Sequence, residues 1–471
     1  MYLKYDSGTA YFCINYITNS TPYRKLEFME RGSTSNIVFP IIVSTLHKFS
    51  STVFGFLNFF ILARLLTKFD LGIWSIFLFV IAAFELSKGS LLKNAHIRLI
   101  INTEKEKYKL ITGSSMLVNF CFTSIFVLAI MLLGPLFSNW LNLGNKLYEM
   151  LYLYIPGLTL MIFFSHYEAV QQSHHNFKNG FTANLIRQGG FFLFLVYHFI
   201  TKNNIELNDL VYYYTIGNLA GVIVLFYLTW KNLIFSFHYS KSIIKEIFSY
   251  GSYMLGGNII TQLSSNIDQI LLSRLLSANF IGYYGIASRV MYAVDIPMNG
   301  ASEAMFPSFT KASNEKDKSQ FNHYLEKITG SLFALMLPIC ILIISSSEFI
   351  IEIIAGKDYK DGAPILELYV LISFINIFKH QSSNTLLSLG KSKMHFIITT
   401  IQFITTVVLM YLGISYFDYL GAAYARLLLA LVSLVVWAFI MKRLTNINFP
   451  NILSYFLSFY PTLIKKAFVR G

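Results

Sequence analysis

Charge is scarce in this chain: only 13% of its 471 residues are Asp, Glu, Lys or Arg, against 55% hydrophobic and 17% aromatic. With a mean hydropathy of +0.55, that excludes an ordinary soluble domain and indicates an integral membrane protein. Cysteine is scarcer still. Cys13, Cys121 and Cys340 form no metal-ligand spacing, two lie in apolar stretches, and they support no disulfide or redox argument. There is no GxxxxGKS/T phosphate loop, no zincin motif and no Ser-His-Asp signal with local context. The short alternating stretches of a transmembrane β-barrel are missing too, which leaves helices.

Long apolar runs are present instead. Residues 114–137 are an uninterrupted example, and about 20 such residues cross a hydrocarbon core as a helix. With Gly, Pro and charge clusters as punctuation, helices are predicted near 44–63, 70–92, 110–136, 148–169, 180–200 and 209–230. A second set is predicted near 251–273, 281–306, 328–347, 364–388, 394–415 and 418–441. The expected fold class is an all-α polytopic membrane protein of about twelve transmembrane helices. It divides into a tail at 1–36, six-helix halves at 37–235 and 245–443, and a tail at 444–471. Met29 is an alternative start, and the C-terminal tail, broken by Pro450 and Pro461, reads as interfacial or disordered.

The basic residues orient this plan. Placing the N-terminus inside puts Lys93, Arg98, Lys105, Lys107 and Lys109 in one inward loop. Outward loops then hold only Arg64, Lys68, Lys146, Lys202, Arg274, Lys357 and Lys360 of the 37 Lys and Arg. Both termini are therefore expected in the cytoplasm. The net charge of +13 follows from that asymmetry and needs no nucleic acid partner. The longest outer loop, 348–363, is too short for the catalytic domain of a membrane-embedded glycan polymerase, so the chain is not read as an enzyme.

Segments 63–74 (ARLLTKFDLGIW) and 273–284 (SRLLSANFIGYY) look alike. Sliding the chain by 210 residues superposes Arg64 on Arg274 and Gly72 on Gly282. Lys48, Ser51, Thr52, Gly55 and Asn58 then fall on Asn258, Thr261, Gln262, Ser265 and Asp268. Each set follows i, i+3, i+4, i+7, i+10, one polar stripe along one helix face. Such a stripe would leave its groups without partners in lipid, so both helices should line a polar space. Glu85 falls on Asp295 in the same register, and Asp209 and Asp418 open the sixth helix of each half. This pattern points to duplication, with two parallel repeats around a central polar cleft.

Charges inside spans are costly unless they face a cavity or a partner, and Lys48, Arg289, Lys379 and Arg426 are the cations assigned there. Arg289 is the leading candidate for a cavity group. Glu303 falls on nearly the same helix face, and Asp268 is a potential partner that would pin two helices. Lys379 and His380 stand in IFKHQSSN, striped with Asn376 and Ser383. Lys48 and Lys379 either face the cavity or snorkel to the interface. His166, His174 and His175 lie near one helix end without the carboxylate or Cys that would complete a metal set.

At ARLLTKFDLGIWSIFLF, and again at NIDQILLSRLLSANFIGYYGIASRV, the chain resembles the polysaccharide (O-antigen) flippases of the multidrug/oligosaccharidyl-lipid/polysaccharide exporter superfamily. The family's basic residue, Leu and Gly-Leu/Tyr-Trp/Tyr recur between helices one and two and between seven and eight. Its seventh-helix Asp matches Asp268, and its Ala-x-Arg matches Ala287 to Arg289. Ala278-Asn279, where Gly-Pro is common, and the charged Glu85-Leu-Ser-Lys88 depart from the pattern. The resemblance implies movement of an undecaprenyl-diphosphate-linked oligosaccharide from the inner to the outer leaflet of a bacterial cytoplasmic membrane. The expected cavity set is Arg289, Lys48, Lys379, His380, Arg426, Asn258 and Gln262, with Asp268, Glu85 and Asp295 as candidates for proton or sodium coupling. No cofactor is expected. Membrane lipids, a glycan polymerase and a chain-length regulator are the expected partners. A cation-coupled drug exporter or a polymerase remains the alternative.

Overall fold

The computed structural model describes residues 35–100, 105–173, 176–230, 233, 238–296, 298, 300 and 318–469. The side chains of Lys48 and Arg98, together with Glu303, His174 and His175, lie outside the described part. Among the described residues every regular element is helical. The chain runs through α1 (Ser35–Leu65), α2 (Lys68–Lys88), a π-helical turn (Gly89–Lys93), α3 (Asn94–Ile100), α4 (Lys105–Trp140), α5 (Lys146–Leu153), α6 (Ile155–Ser173), α7 (Phe177–Thr201), α8 (Leu207–Thr229) and α9 (Lys241–Leu275). It continues through α10 (Ile281–Val294), α11 (Lys318–Ser345), α12 (Ser347–Ala355), α13 (Ala363–Ser388), α14 (Ser392–Phe417), α15 (Gly421–Thr445) and α16 (Phe449–Val469). Contacts divide the chain into two compact units, one ending at Gly282 and the other beginning at Tyr283.

By length and composition, six helical stretches among the described residues suffice to cross a membrane, or seven if bent α5–α6 counts as one. Helices α7 and α9, with 25 and 35 residues, are outside that set. They carry Asn184, Arg187 and Gln188, and the stripe from Asn258 to Asp268, respectively. Long helices with polar faces need a polar neighbour, and α7 has one: Asn184 and Gln188 each donate to the Ser51 hydroxyl of α1 at 3.0 Å. Ser51 belongs to the first stripe read in the sequence.

Local chemistry sets the helix ends. Thr67 caps α2 by accepting the Asp70 N–H, and Lys146 reaches the Asp70 carboxylate at 2.9 Å. Asp209 closes a capping box with Glu206 at the start of α8. Arg64 and Arg274 occupy the last turns of α1 and α9, where cations complement the helix dipole. In the first unit Leu91, Ile111 and Ile247 pack together, as do Met161, Phe164, Ala183 and Leu225. In the second, Phe321, Phe378, Trp437 and Ile452 share a core.

The C-terminal segment is not disordered over 449–469: it is the 21-residue helix α16, packed along α11. Pro450 fits the first turn, where no N–H is missed, whereas Pro461 lies inside and gives up one helical hydrogen bond. Docking offsets that loss. Gly330 lets the α16 backbone approach, Tyr460 donates to the Ala334 carbonyl at 2.6 Å, and buried Glu326 accepts from Asn448 N–H at 2.7 Å and Asn451 Nδ2 at 2.8 Å. Replacing Glu326 with Ala should cost about 2 kcal/mol of docking. Limited proteolysis should then cut within 449–469 before the rest of the unit, and an unchanged digestion pattern would contradict that role.

Candidate functional site

A cavity of about 700 Å³ opens within the first unit. Helices α1 to α4 and α6 to α9 all contribute to its wall, and the π-helical turn widens it by turning Ser90 and Lys93 onto it. The polar wall includes His47 of α1, Glu85 and Lys88 of α2, His166 and Glu168 of α6, and Asn184 and Arg187 of α7. In an apolar helical protein this is an unusually polar space.

Its charges are arranged in pairs with one remainder. Lys88, 1% exposed, bonds Glu85 at 2.9 Å across one helical turn and also donates to the Met161 carbonyl at 3.3 Å. Lys93 meets Glu168 at 2.9 Å, and Gln172 donates to the same carboxylate at 3.2 Å. Among the described residues Arg187 has only neutral partners. Its Nε and Nη2 donate to Asn184 Oδ1 at 3.3 and 2.9 Å, Nη1 approaches the Met161 sulfur at 3.7 Å, and the guanidinium lies 5.1 Å from the Phe164 ring centroid. Tyr214 closes one side, backed by Trp74, Tyr154 and Phe191. His96 and His166, also on the wall, stand 5.3 Å apart, edge to face.

Of the residues expected to form the site, Glu85 and Asn258 line this cavity, and Asn258 Nδ2 donates to Ser90 Oγ. Gln262 lies one turn farther along α9, half-buried, and Asp268 is buried and accepts the Gln269 N–H at 3.0 Å. Lys48 belongs to the same unit, with its side chain outside the described part, and the others belong to the second unit. Arg289 donates to the Gly285 carbonyl at 3.1 Å, Ser373 donates to Asp295, and His380 Nδ1 lies 3.5 Å from Asn384 Nδ2. Arg426 lies 5.8 Å from the Tyr369 ring, and Lys379 is half-buried. The sequence reading missed three cations, among them Lys93, which it placed in an inward loop. Lys88 and Arg187 were tallied with inward segments, yet both lie within helices and line the cavity. The signal was present at i, i+3: Glu85 with Lys88, and Asn184 with Arg187.

Residues 61–364 match the polysaccharide biosynthesis protein family. The chain belongs to that family. Its relatives include the teichuronic acid biosynthesis protein TuaB of Bacillus subtilis (strain 168), 24% identical over 225 residues and covering 45% of each chain. Another is the lipopolysaccharide biosynthesis protein WzxC of Escherichia coli (strain K12), 22% identical over 236 residues, 48% of this chain and 47% of that one. The chain spans about half the length of these relatives in the matched regions. Its fold is that of the lipid II flippase MurJ in an inward closed conformation, with a TM-score of 0.71 at 16% identity over 92% of this chain and 93% of that one. The polysaccharide family anticipated from the motifs is the one matched.

Proposed function

We propose that this protein is a flippase that carries an undecaprenyl-diphosphate-linked oligosaccharide from the inner to the outer leaflet of the bacterial cytoplasmic membrane, for surface polysaccharide synthesis. The observation that carries this reading is the polar, cation-bearing cavity inside an apolar helical unit of a polysaccharide biosynthesis family member. A sugar headgroup crossing hydrocarbon would lose its hydrogen bonds to water at several kcal/mol per group, and a polar passage lowers that barrier. A drug-sized organic cation, by contrast, would meet Arg187, Lys88 and Lys93. In this proposal twelve spans form two parallel repeats, both termini are cytoplasmic, and the cavity opens toward the cytoplasm, where the lipid-linked precursor is loaded. Alternating access then exposes the headgroup to the other side.

Arg289 is the proposed group that attracts the diphosphate, with Lys48, Lys379 and Arg426 in support, and His380, Asn258 and Gln262 are further proposed substrate-contacting groups. Asp268, Glu85 and Asp295 are the proposed groups for proton or sodium coupling. The membrane potential adds about 2.3 kcal/mol per charge per 100 mV. A glycan polymerase and a chain-length regulator would act on the delivered units. Deleting the gene should trap single lipid-linked repeat units in the inner leaflet, and an Arg289→Ala variant made at normal levels should restore no surface glycan. Units reaching the outer leaflet unpolymerised would point instead to a polymerase. Unchanged glycan with altered drug sensitivity would point to an exporter.

A further inference from the structure

The cavity wall carries two kinds of chemistry. Arg187 is, among the described residues, the cavity cation without a carboxylate partner, since Lys88 and Lys93 are held by Glu85 and Glu168. Its guanidinium is steadied by Asn184, which Ser51 holds in turn. A guanidinium so placed presents a planar fork of donors suited to phosphate oxygens. His96, another residue of the wall, is 2% exposed, and neither of its ring nitrogens has a hydrogen-bond partner. Ser115 Oγ and Asn119 Oδ1, also on the wall, are buried and unpartnered as well. Buried polar groups are rarely left so, and three on one wall mark a place where a ligand completes them. They are neutral donors and acceptors, the kind that match hydroxyl groups.

We propose that this cavity binds a phosphate-linked saccharide, with the phosphate nearest the sugar on Arg187 and an uncharged sugar on His96, Ser115 and Asn119. The assignment rests on the flippase reading and adds a specificity to it. An acidic sugar would add a further negative charge beside Glu85 and Glu168, whose lysines are already engaged, and among the described residues the cavity has no other unpaired cation to receive it.

The test uses the full chain in lipid nanodiscs and three probes: a ten-carbon isoprenyl diphosphate bearing glucose, the same diphosphate bearing glucuronic acid, and the sugar-free isoprenyl diphosphate. The glucose probe should bind about tenfold more tightly than the glucuronic acid probe. Arg187→Gln should weaken all three by about ten- to a hundredfold, the worth of a charge-assisted bond. Ser115→Ala and Asn119→Ala, small changes that keep the helix, should weaken only the sugar-bearing probes, each by about two- to tenfold. Undiminished binding by Arg187→Gln, equal binding of the two sugars, or no saturable binding at all would each overturn the site. Translocation of fluorescent lipid-linked oligosaccharide in proteoliposomes is scored separately. A wild-type chain that translocates without the predicted probe preference loses this site and keeps the flippase reading; one that shows the preference and does not translocate keeps the site and loses that reading.

Discussion

Replacing Glu85 with Leu should cost about 3–5 kcal/mol, the expected penalty for stranding a buried charge. The ammonium of Lys88 is 1% exposed, and its anionic partner is Glu85 at 2.9 Å. Its other contacts are the Met161 carbonyl at 3.3 Å and the face of Phe84, 5.3 Å away. Those soften the loss and do not balance a full charge. Lys88→Met should be milder, because Glu85 keeps 20% of its side-chain surface exposed and can take up water. The double variant Glu85→Leu/Lys88→Met places two apolar side chains where two charges were and should recover most of the stability. Thermal unfolding midpoints of the detergent-purified chain give the order: Glu85→Leu lowest, Lys88→Met intermediate, the double variant highest of the three. Strictly additive losses would mean that the two side chains do not act as a pair.

That pair also shows where a sequence stops being legible. The apolar runs located the helices well, because the need to span about 30 Å of hydrocarbon imposes length and composition together. Thus 44–63 falls in Ser35–Leu65, 180–200 in Phe177–Thr201 and 364–388 in Ala363–Ser388. The polar stripe on α1 was legible from its period alone, and Ser51 does meet polar side chains. What meets it was not, since Asn184 is 133 residues away. Lys88 and Arg187 fall within the predicted spans 70–92 and 180–200 but were left out of the intramembrane cations, because a cation toward the inward side of a span satisfies the topology rule equally well whether it points to water or into a cavity. The Glu85-Leu-Ser-Lys88 departure, opaque in one dimension, becomes an intrahelical ion pair on the cavity wall once the π-helical turn is seen beside it. Pro461 misled for the opposite reason. A local helix-breaking preference was outweighed by docking on α11, and no local pattern records that docking.

The repeated turn yields the other large effect. Gly72, the glycine eight residues beyond Arg64, lies in the early part of α2 against the Ala278 backbone, and a Cβ there would run into the Ala278 carbonyl oxygen. A side chain that meets another side chain can often rotate it away; one that meets a carbonyl must move the chain. Gly72→Val should therefore sit at the upper end of overpacking costs, about 3 kcal/mol, and lower both the folded yield and the unfolding midpoint. Gly55, on α1, has no atom within 4 Å of a built Cβ, so Gly55→Ala should be neutral or slightly stabilising and controls for the loss of a helical glycine. The decisive comparison is Gly72→Val with Ala278→Gly added. The Ala278 Cβ would stand 3.1 Å from the new carbon, but the carbonyl oxygen is the closer obstacle. Removing that methyl should therefore rescue little. Full recovery in the double variant would instead assign the tight fit to the alanine side chain and free the backbone contact from blame.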